Sequence, residues 1–133
     1  MTKEIINTAN APAPIGPYNQ AVMCGNMLFI SGQVAFKPGT TELVMDDIAS
    51  EAHQVMKNLK AILEAASMHF HNVVKTTIFL SDMSLFVQVN EVYATYFEAT
   101  PETGQMTYPA RETVAVKGLP KNVNVEISMI AAK

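Results

Sequence analysis

The fold is decided by residues 46–80, which read DDIASEAHQVMKNLKAILEAASMHFHNVVKTTIFL. From Asp46 to Ser67, apolar side chains recur at the spacing of one helix face, and two aspartates stand where the helix dipole favours negative charge. Val73 to Leu80 is rich in β-branched and aromatic residues at strand length. We therefore expect a helix with one side packed on a sheet, followed by a strand. The helix side predicted to face solvent carries the polar residues Glu51, Gln54, Lys57, Asn58, Lys60 and Glu64.

Upstream of this stretch, the sequence predicts a loop and three strands. Three prolines exclude regular structure over residues 11–17. Asn19 to Met23 and Met27 to Ser31 are apolar runs joined by a Gly-Asn turn signal, as in a β-hairpin. A third strand is expected near Gln33 to Phe36. Met1 to Asn10 is polar after its charges, and no element is predicted there.

Downstream, a second helix and two more strands are expected. Ser84 is a plausible N-cap for an amphipathic helix that stops before Pro101. Ala110 to Val116 and Val123 to Ile130 read as strands at hairpin spacing, and alternation in the last one puts Glu126 opposite its apolar face. The predicted order is β-β-β-α-β-α-β-β, an α+β domain over residues 1–133 with two helices on one side of a sheet.

Composition excludes several functional classes. A net charge of −3 with no Lys or Arg cluster disfavours nucleic acid as a partner. No apolar run reaches the length of a membrane span. Cys24 has no second thiol to pair with, which favours a reducing, cytoplasmic location. His69 and His71 have a metal-like spacing but no third ligand nearby, so we expect no metal.

Four local features are candidates for chemistry. Arg111 follows Pro109, so its guanidinium is expected at a sheet edge where it could clamp a carboxylate; the alternative is a surface ion pair. Glu126 is a candidate general base, or else part of a solvated strand face. Two other places could contact a ligand through hydroxyl donors or close backbone approach, namely Tyr18 and the pair Ser31 and Gly32.

Several motifs in order resemble the RidA/YjgF family of reactive-intermediate deaminases along almost the whole chain. The first is APIGPYNQA at residues 13–21, followed by FISGQ at 29–33. NLKAILEAA at 58–66 is similar to a family segment between the motifs. The second motif is PAR at 109–111, continuing to VEI at 125–127.

The resemblance implies a chorismate-mutase-like fold assembled as a homotrimer, with three clefts each lined by two chains. It also implies that Arg111 clamps the substrate carboxylate and that Glu126 orients or activates water. The residues it assigns to pocket shape and substrate contact are Tyr18, Ser31, Gly32, Asn90 and Thr113. The sequence departs from the common pattern at Glu112 and Thr113, where Ser and Cys are frequent, and at Ser128, where a second Glu is frequent.

The function this implies is hydrolysis of 2-imino and 2-enamino acids, such as 2-iminobutyrate and 2-aminoacrylate, to 2-keto acids and ammonia without metal or organic cofactor. The alternative is a non-catalytic small-carboxylate sensor or regulatory protein that uses the same intersubunit cleft. A third possibility, a ribonuclease, is disfavoured by the acidic balance.

Overall fold

The computed structural model describes residues 2–133, so Met1 lies outside the described part. Six strands and two helices follow each other along the chain, with three short 3-10 turns between them. In order they are β1 Lys3–Ile6, β2 Ala21–Cys24, β3 Met27–Gln33, α1 Ile48–Ala65, β4 Val73–Leu80, α2 Phe86–Ala94, β5 Ala110–Ala115 and β6 Val125–Ala132. The predicted long helix and the strand after it are confirmed.

The six strands form one sheet in the order β1-β2-β3-β6-β4-β5. All neighbouring pairs are antiparallel except β4 and β5, which run parallel, so the sheet is mixed. Both helices pack on the same face, because α1 contacts α2 as well as β3 and β6. The predicted α+β class with two helices on one side is confirmed. No helix within residues 2–133 combines the length and the apolar character that a membrane crossing needs.

The core lies between α1 and the sheet, and the periodicity of the sequence explains it. Val55, Leu59 and Ile62 of α1 are fully buried, as are Ile78 of β4 and Ile127 of β6. The helix begins where the Asp47 carboxylate accepts a hydrogen bond from the Ser50 backbone N–H at 2.7 Å. That bond lowers the pKa of the Asp47 carboxyl.

The start of the sheet differs from the prediction, although the number of strands before α1 is the same. The first strand is Lys3–Ile6, which pairs with β2 at the sheet edge and carries little apolar signal. The third predicted strand, Gln33 to Phe36, is wrong: β3 ends at Gln33, and Phe36 makes only an isolated bridge to Leu43. Only one side chain of this edge strand, Ile6, is buried. The alternation of apolar and polar residues was therefore too short to predict the strand from the sequence.

The hairpin predicted between the last two strands is also wrong. β5 pairs only with β4, at the sheet edge, whereas β6 lies between β3 and β4. The connection carries Lys121 and Asn122 in the left-handed region, with φ of 57° and 54°, and brings the chain to the other side of β4.

The second helix is shorter than predicted and begins differently. Ser84 is not its N-cap: α2 follows a 3-10 turn at Met83–Leu85 and begins at Phe86 without a side-chain cap. Asp82 caps the 3-10 turn, because its carboxylate accepts from the Ser84 N–H at 2.7 Å. The α-helix itself ends at Ala94, well before Pro101.

Two α1 residues that were expected to face solvent are fully buried. Glu51 and Asn58 have no exposed surface, and both hydrogen-bond to backbone outside the helix. The Asn58 amide donates to the carbonyl oxygens of Val34 and Phe36, at 3.2 and 3.0 Å, which holds the segment after β3. The sequence pattern of a helix assigns polar residues to the solvent side. It therefore cannot distinguish a solvated carboxylate from a buried one that accepts hydrogen bonds from the rest of the chain.

Candidate functional site

The predicted site residues fall into two groups on different parts of the sheet. Tyr18, Ser31, Gly32 and Glu126 lie together and are called the Glu126 cluster. Asn90, Arg111 and Thr113 lie at α2 and the β5 edge and are called the Arg111 cluster.

The Glu126 cluster is built on an irregularity between β3 and β6. Register shifts between Ile30 and Gln33, so that Ser31 and Gly32 together oppose Ser128, which is a β-bulge. A Cβ placed on Gly32 would lie 2.5 Å from Glu126 Oε2 and 2.8 Å from Cδ. Glycine at position 32 therefore lets the Glu126 carboxyl group pack directly over the β3 backbone.

Burial sets the electrostatics of Glu126. Its side chain is half-buried on β6, and desolvation raises the pKa of its carboxyl above the ordinary glutamate value. No ion pair to Glu126 is present within residues 2–133. A carboxylate with a raised pKa and no cation beside it is the arrangement that general bases use.

The loop before β2 supplies Tyr18 and is held by one buried amide. The Gln20 side chain accepts from the Thr8 N–H at 2.8 Å and donates to the carbonyls of Thr8, Ala11 and Pro12. The Tyr18 hydroxyl accepts from the Ile15 N–H at 3.3 Å, so its own proton is still available to a ligand.

Ser31 is less available as a donor than the sequence suggested. Its hydroxyl donates to the Asn19 carbonyl at 2.6 Å, which ties β3 to the Tyr18 loop. Ser31 therefore joins the loop to the bulge, and toward a ligand its oxygen could only accept.

The Arg111 cluster is built by aromatic stacking. The guanidinium carbon of Arg111 lies 5.0 Å from the centre of the Tyr93 ring and 5.8 Å from that of Phe86, both on α2. Tyr93 is fixed in turn by donating to the Thr76 hydroxyl at 2.9 Å. Burial raises the pKa of the Tyr93 hydroxyl, which stays neutral beneath the cation.

Arg111 lies at the sheet edge, as predicted. The alternative, a surface ion pair, is not found within residues 2–133. Among residues 2–133 the guanidinium has neither a carboxylate partner nor a hydrogen bond. Two rings position the flat face and leave the N–H donors at its rim for a ligand. Such a fork matches a carboxylate with two parallel hydrogen bonds.

The other two members of the Arg111 cluster contribute unequally. Asn90 is half-buried and lies between Phe86 and Tyr93 on the same helix face, as spacings of four and three residues require. The Thr113 hydroxyl is buried and has no hydrogen-bond partner within the described chain. Its oxygen has almost no accessible surface, so the side chain would have to rotate before it met a ligand.

The two clusters lie on opposite faces of the sheet. Arg111 is in register with Thr76, which is fully buried beneath the helices. Glu126 is in register with Phe79, three residues further along β4, and so points to the face without helices. Within one chain, no small ligand could contact both Arg111 and Glu126.

Glu112 points away from Arg111, as the alternation of side chains along a strand requires. Its carboxylate accepts from the Thr77 hydroxyl and lies 2.9 Å from the Lys75 ammonium nitrogen. The hydrogen bonds from Thr77 and then Lys75 lower the pKa of Glu112. This negative charge is therefore paired on the helix-free face and does not oppose anion binding at Arg111.

The cavity that the Glu126 cluster lines is too small to hold a substrate. The hollow beside Tyr18, Gly32 and Glu126 has a volume of about 50 Å³, enough for a water molecule but not for a four-carbon acid. A wider cavity of about 820 Å³ lies on the helix side between Lys60, Phe70 and Phe97, and it contains no predicted site residue. The smaller hollow is the one that the predicted residues Tyr18, Gly32 and Glu126 line.

Metal binding has no structural support in the part of the chain that is described. The His69 and His71 rings stack with centres 5.6 Å apart. No three His, Cys, Asp or Glu side chains within residues 2–133 are grouped to hold an ion. The absence of a metal in the working protein stays a prediction.

Sequence reasoning missed the residues that support the site. Gln20 anchors the Tyr18 loop, and Phe86 and Tyr93 cradle Arg111. Aromatic residues four and three positions on either side of Asn90 were the available signal for the cradle. Gln20 gave no signal except its place in the motif at residues 13–21.

Comparisons with known proteins show the family and the fold of the chain. A family model described as Endoribonuclease L-PSP matches residues 8–133. A RutC family protein from Pyrococcus horikoshii is 50% identical over 98% of each chain. The mouse 2-iminobutanoate/2-iminopropanoate deaminase is 45% identical over 98% of this chain and 92% of its own. Escherichia coli TdcF, solved with bound serine, has a TM-score of 0.87 and 40% identity, with 98% of each chain covered.

Proposed function

Because the chain belongs to the RidA/YjgF family, we propose that it is a 2-iminobutanoate/2-iminopropanoate deaminase whose active site forms between two copies of the chain in a homotrimer. The substrates would be short 2-imino and 2-enamino acids, and the products 2-keto acids and ammonia. No metal or organic cofactor takes part in the proposed reaction, and the proposed location is the cytoplasm.

One observation carries the proposal: Glu126 and Arg111 lie on opposite faces of one sheet, and neither has an ion-pair partner within residues 2–133. A second copy that brought its Arg111 edge to the Glu126 hollow would complete the site. It would also cover exposed apolar side chains of the helix-free face such as Phe29 and Val114, of which 42% and 44% are exposed. Closed rotational symmetry would give every copy the same contact, and three copies would give three sites.

The residues divide the chemistry between binding and proton transfer. The Arg111 fork would hold the substrate carboxylate, and the Tyr18 hydroxyl would donate to it or to the reacting nitrogen. Glu126 would take a proton from water as the water oxygen attacks C2 of the imine. The protonated carboxyl would give that proton to the imine nitrogen, which forms a carbinolamine. Glu126 would then take the proton of the new hydroxyl group and pass it to the amine nitrogen as the C–N bond breaks, which releases ammonia and the keto acid.

The required catalysis is modest. Positioned acid-base help of roughly 10²- to 10⁴-fold, together with fixed orientation, is enough for a hydrolysis that already proceeds in water. Two names among the similar proteins support the substrate class, since one is called an imine deaminase and another was solved with bound serine.

A coupled assay tests the activity. A dehydratase generates 2-iminobutyrate or 2-aminoacrylate in the reaction mixture, and keto-acid appearance is followed with and without this protein. Each sample is measured with and without a strong chelator. We expect the protein to speed keto-acid release from both substrates, whether or not the chelator is present. A rate equal to the uncatalysed one would contradict the deaminase proposal, and activity that chelation abolished and one divalent ion restored would contradict the cofactor-free mechanism.

Mixed assemblies test the shared site. Arg111→Ala and Glu126→Gln chains, each inactive alone, are combined by joint refolding. If each site takes Arg111 from one chain and Glu126 from the next, every mixed trimer contains one intact site, and random mixing restores about a quarter of wild-type activity. A mixture as inactive as its components would place both residues in one chain's site and overturn the shared-cleft proposal.

The alternatives are separated by the same samples. A carboxylate sensor would bind 2-oxobutyrate through Arg111 without accelerating hydrolysis. The family description names an endoribonuclease, so incubation with RNA belongs in the design; the net charge of −3 and the lack of a basic patch predict no cleavage.

A further inference from the structure

Glu51 is a buried carboxylate that the proposed reaction does not use. It lies in the first turn of α1 with 0% of its surface exposed. Three N–H groups at the start of β6 donate to it: the Asn124 backbone and side-chain nitrogens, both at 2.8 Å, and the Val125 backbone nitrogen at 3.2 Å. Within residues 2–133 it has no ion pair.

A carboxylate without water is stable only when donors surround it, so this burial is tied to the geometry of β6. The helix position helps, because negative charge is favoured near a helix N-terminus. The two backbone donors are consecutive residues, and they fix the direction in which the strand begins.

The start of β6 is also held from the other side. The Ser81 N–H donates to the Asn124 carbonyl at 2.9 Å, and the Ser81 hydroxyl donates to the Asn124 side chain at 3.2 Å. Asn124 is therefore fixed between α1 and the end of β4. Just before it, the chain turns through Lys121 and Asn122 in the left-handed region, so that only a distorted 3-10 turn at Pro120–Asn122 precedes the strand.

We propose that Glu51 is a positioning residue for the Glu126 carboxylate, acting through the backbone of Asn124 and Val125. Glu126 is the next residue along the strand and projects to the opposite face, where its carboxyl group packs so close to Gly32 that a Cβ there would lie 2.5 Å from Oε2. A small rotation of the strand start would move that carboxylate away from the bulge. The proposal rests on the proposed function, since it assigns Glu51 to the orientation of the base.

Three variants separate positioning from general stability. Glu51→Leu keeps the approximate volume and removes every acceptor. Glu51→Gln keeps an oxygen for the two backbone N–H groups, and the Asn124 amide can turn its own oxygen toward the new NH2 group. Leu63→Ala is the matched control, because Leu63 is fully buried in the same helix and makes no hydrogen bond to β6.

Two measurements are made on each variant: kcat and KM in the coupled assay, and the titration of the Glu126 carboxyl carbon by NMR, assigned by its loss in Glu126→Gln. For Glu51→Leu we expect kcat to fall on the order of 10²-fold with KM nearly unchanged. The Glu126 midpoint should move down toward the ordinary glutamate value as the displaced side chain gains water. Glu51→Gln should restore both quantities.

Leu63→Ala should unfold at a lower temperature yet keep the wild-type kcat and midpoint. If Glu51→Leu keeps both, or if Leu63→Ala changes both equally, the positioning role is wrong. Should Glu51→Leu not fold, Asn124→Ala removes one of the three bonds and should shift both quantities in the same direction by less; no shift would overturn the proposal. The NMR midpoint does not depend on turnover, so a chain that fails to deaminate still reports on Glu51.

Discussion

The Glu126 cluster and the Arg111 cluster are positioned by different parts of the chain. Around Glu126 the backbone determines the geometry: a bulge, a glycine under the carboxyl group and a loop tied by the Gln20 amide. Around Arg111 side chains determine it, because Phe86 and Tyr93 stack on a guanidinium that makes no hydrogen bond to the described part of its own chain, residues 2–133.

This difference matches the two tasks that we propose for the site, which are substrate binding and proton transfer. A backbone-built pocket resists small movements, which suits a base that has to meet a water molecule at one place. A cation held only by its flat face keeps its donors available, which suits the recognition of a carboxylate. We therefore expect changes in the Arg111 cluster to affect binding and changes in the Glu126 cluster to affect turnover.

The largest effect is expected from Arg111→Ala. Of Arg111 and Glu126, Arg111 is the residue that we propose to hold the substrate. Turnover and calorimetric binding of 2-oxobutyrate should both fall below detection. Arg111→Lys keeps the charge but loses the fork, so it should recover binding with a deficit of about 1–3 kcal/mol. Lys57→Ala, on the exposed side of α1, is the control and should change neither. Normal 2-oxobutyrate binding by Arg111→Ala would remove the binding role.

Glu126→Gln should show the opposite pattern, because it keeps the size of the side chain and removes the base. We expect kcat to fall within a range of roughly 10²- to 10⁴-fold while 2-oxobutyrate binds about normally. The coupled assay and calorimetry on the same preparation measure the two quantities. A variant that deaminates at the wild-type rate would exclude Glu126 as the base.

Gly32→Ala tests whether the backbone really positions Glu126. The new Cβ would lie 2.5 Å from Oε2, so the carboxyl group has to move, and kcat should fall on the order of 10²-fold with a smaller effect on binding. Gly118→Ala is the matched control, since a Cβ there meets nothing within 4 Å. Equal kcat values for the two variants would show that turnover does not depend on the close approach of Gly32 and Glu126.

Much of this arrangement was accessible from the sequence, and the rest was hidden for physical reasons. Periodicity revealed α1 and β4, and alternation placed Glu126 on the face away from the core. The position of β6 between β3 and β4 was not accessible, because spacing alone favours pairing with the nearest strand, β5. Glu51 was assigned to solvent because its donors come from residues more than 70 positions away.

The site itself was predicted as a set of residues but not as a geometry. The motifs named Arg111 and Glu126, yet only register along β4 shows that they lie on opposite faces. The spacing of Phe86 and Tyr93 indicates that they share a helix face, but only tertiary packing shows that Arg111 stacks on them. The Thr113 hydroxyl, predicted to contact substrate, is buried in the single chain, and that role stays a prediction.

The smallest expected effect concerns stability against pH, and it distinguishes a desolvated carboxylate from a paired one. Burial raises the pKa of Glu126 in the folded protein, so the folded state binds more protons than the unfolded chain between the two pKa values. Its contribution to stability is therefore fully present below the unfolded pKa, about 4.3, and is lost as pH rises through the folded pKa.

Glu112 supplies the control with the opposite sign. Hydrogen bonds from Thr77 and Lys75 lower the pKa of Glu112, so its contribution is present above the unfolded pKa and is lost as pH falls through the folded one. Unfolding temperatures of wild type, Glu126→Gln and Glu112→Gln are measured across acidic to neutral pH. Wild type minus Glu126→Gln should decrease as pH rises above the ordinary glutamate value, whereas wild type minus Glu112→Gln should increase with pH below it. The same sign for both differences would mean that Glu126 is not held in a desolvating pocket, and its assignment as a base of raised pKa would fail.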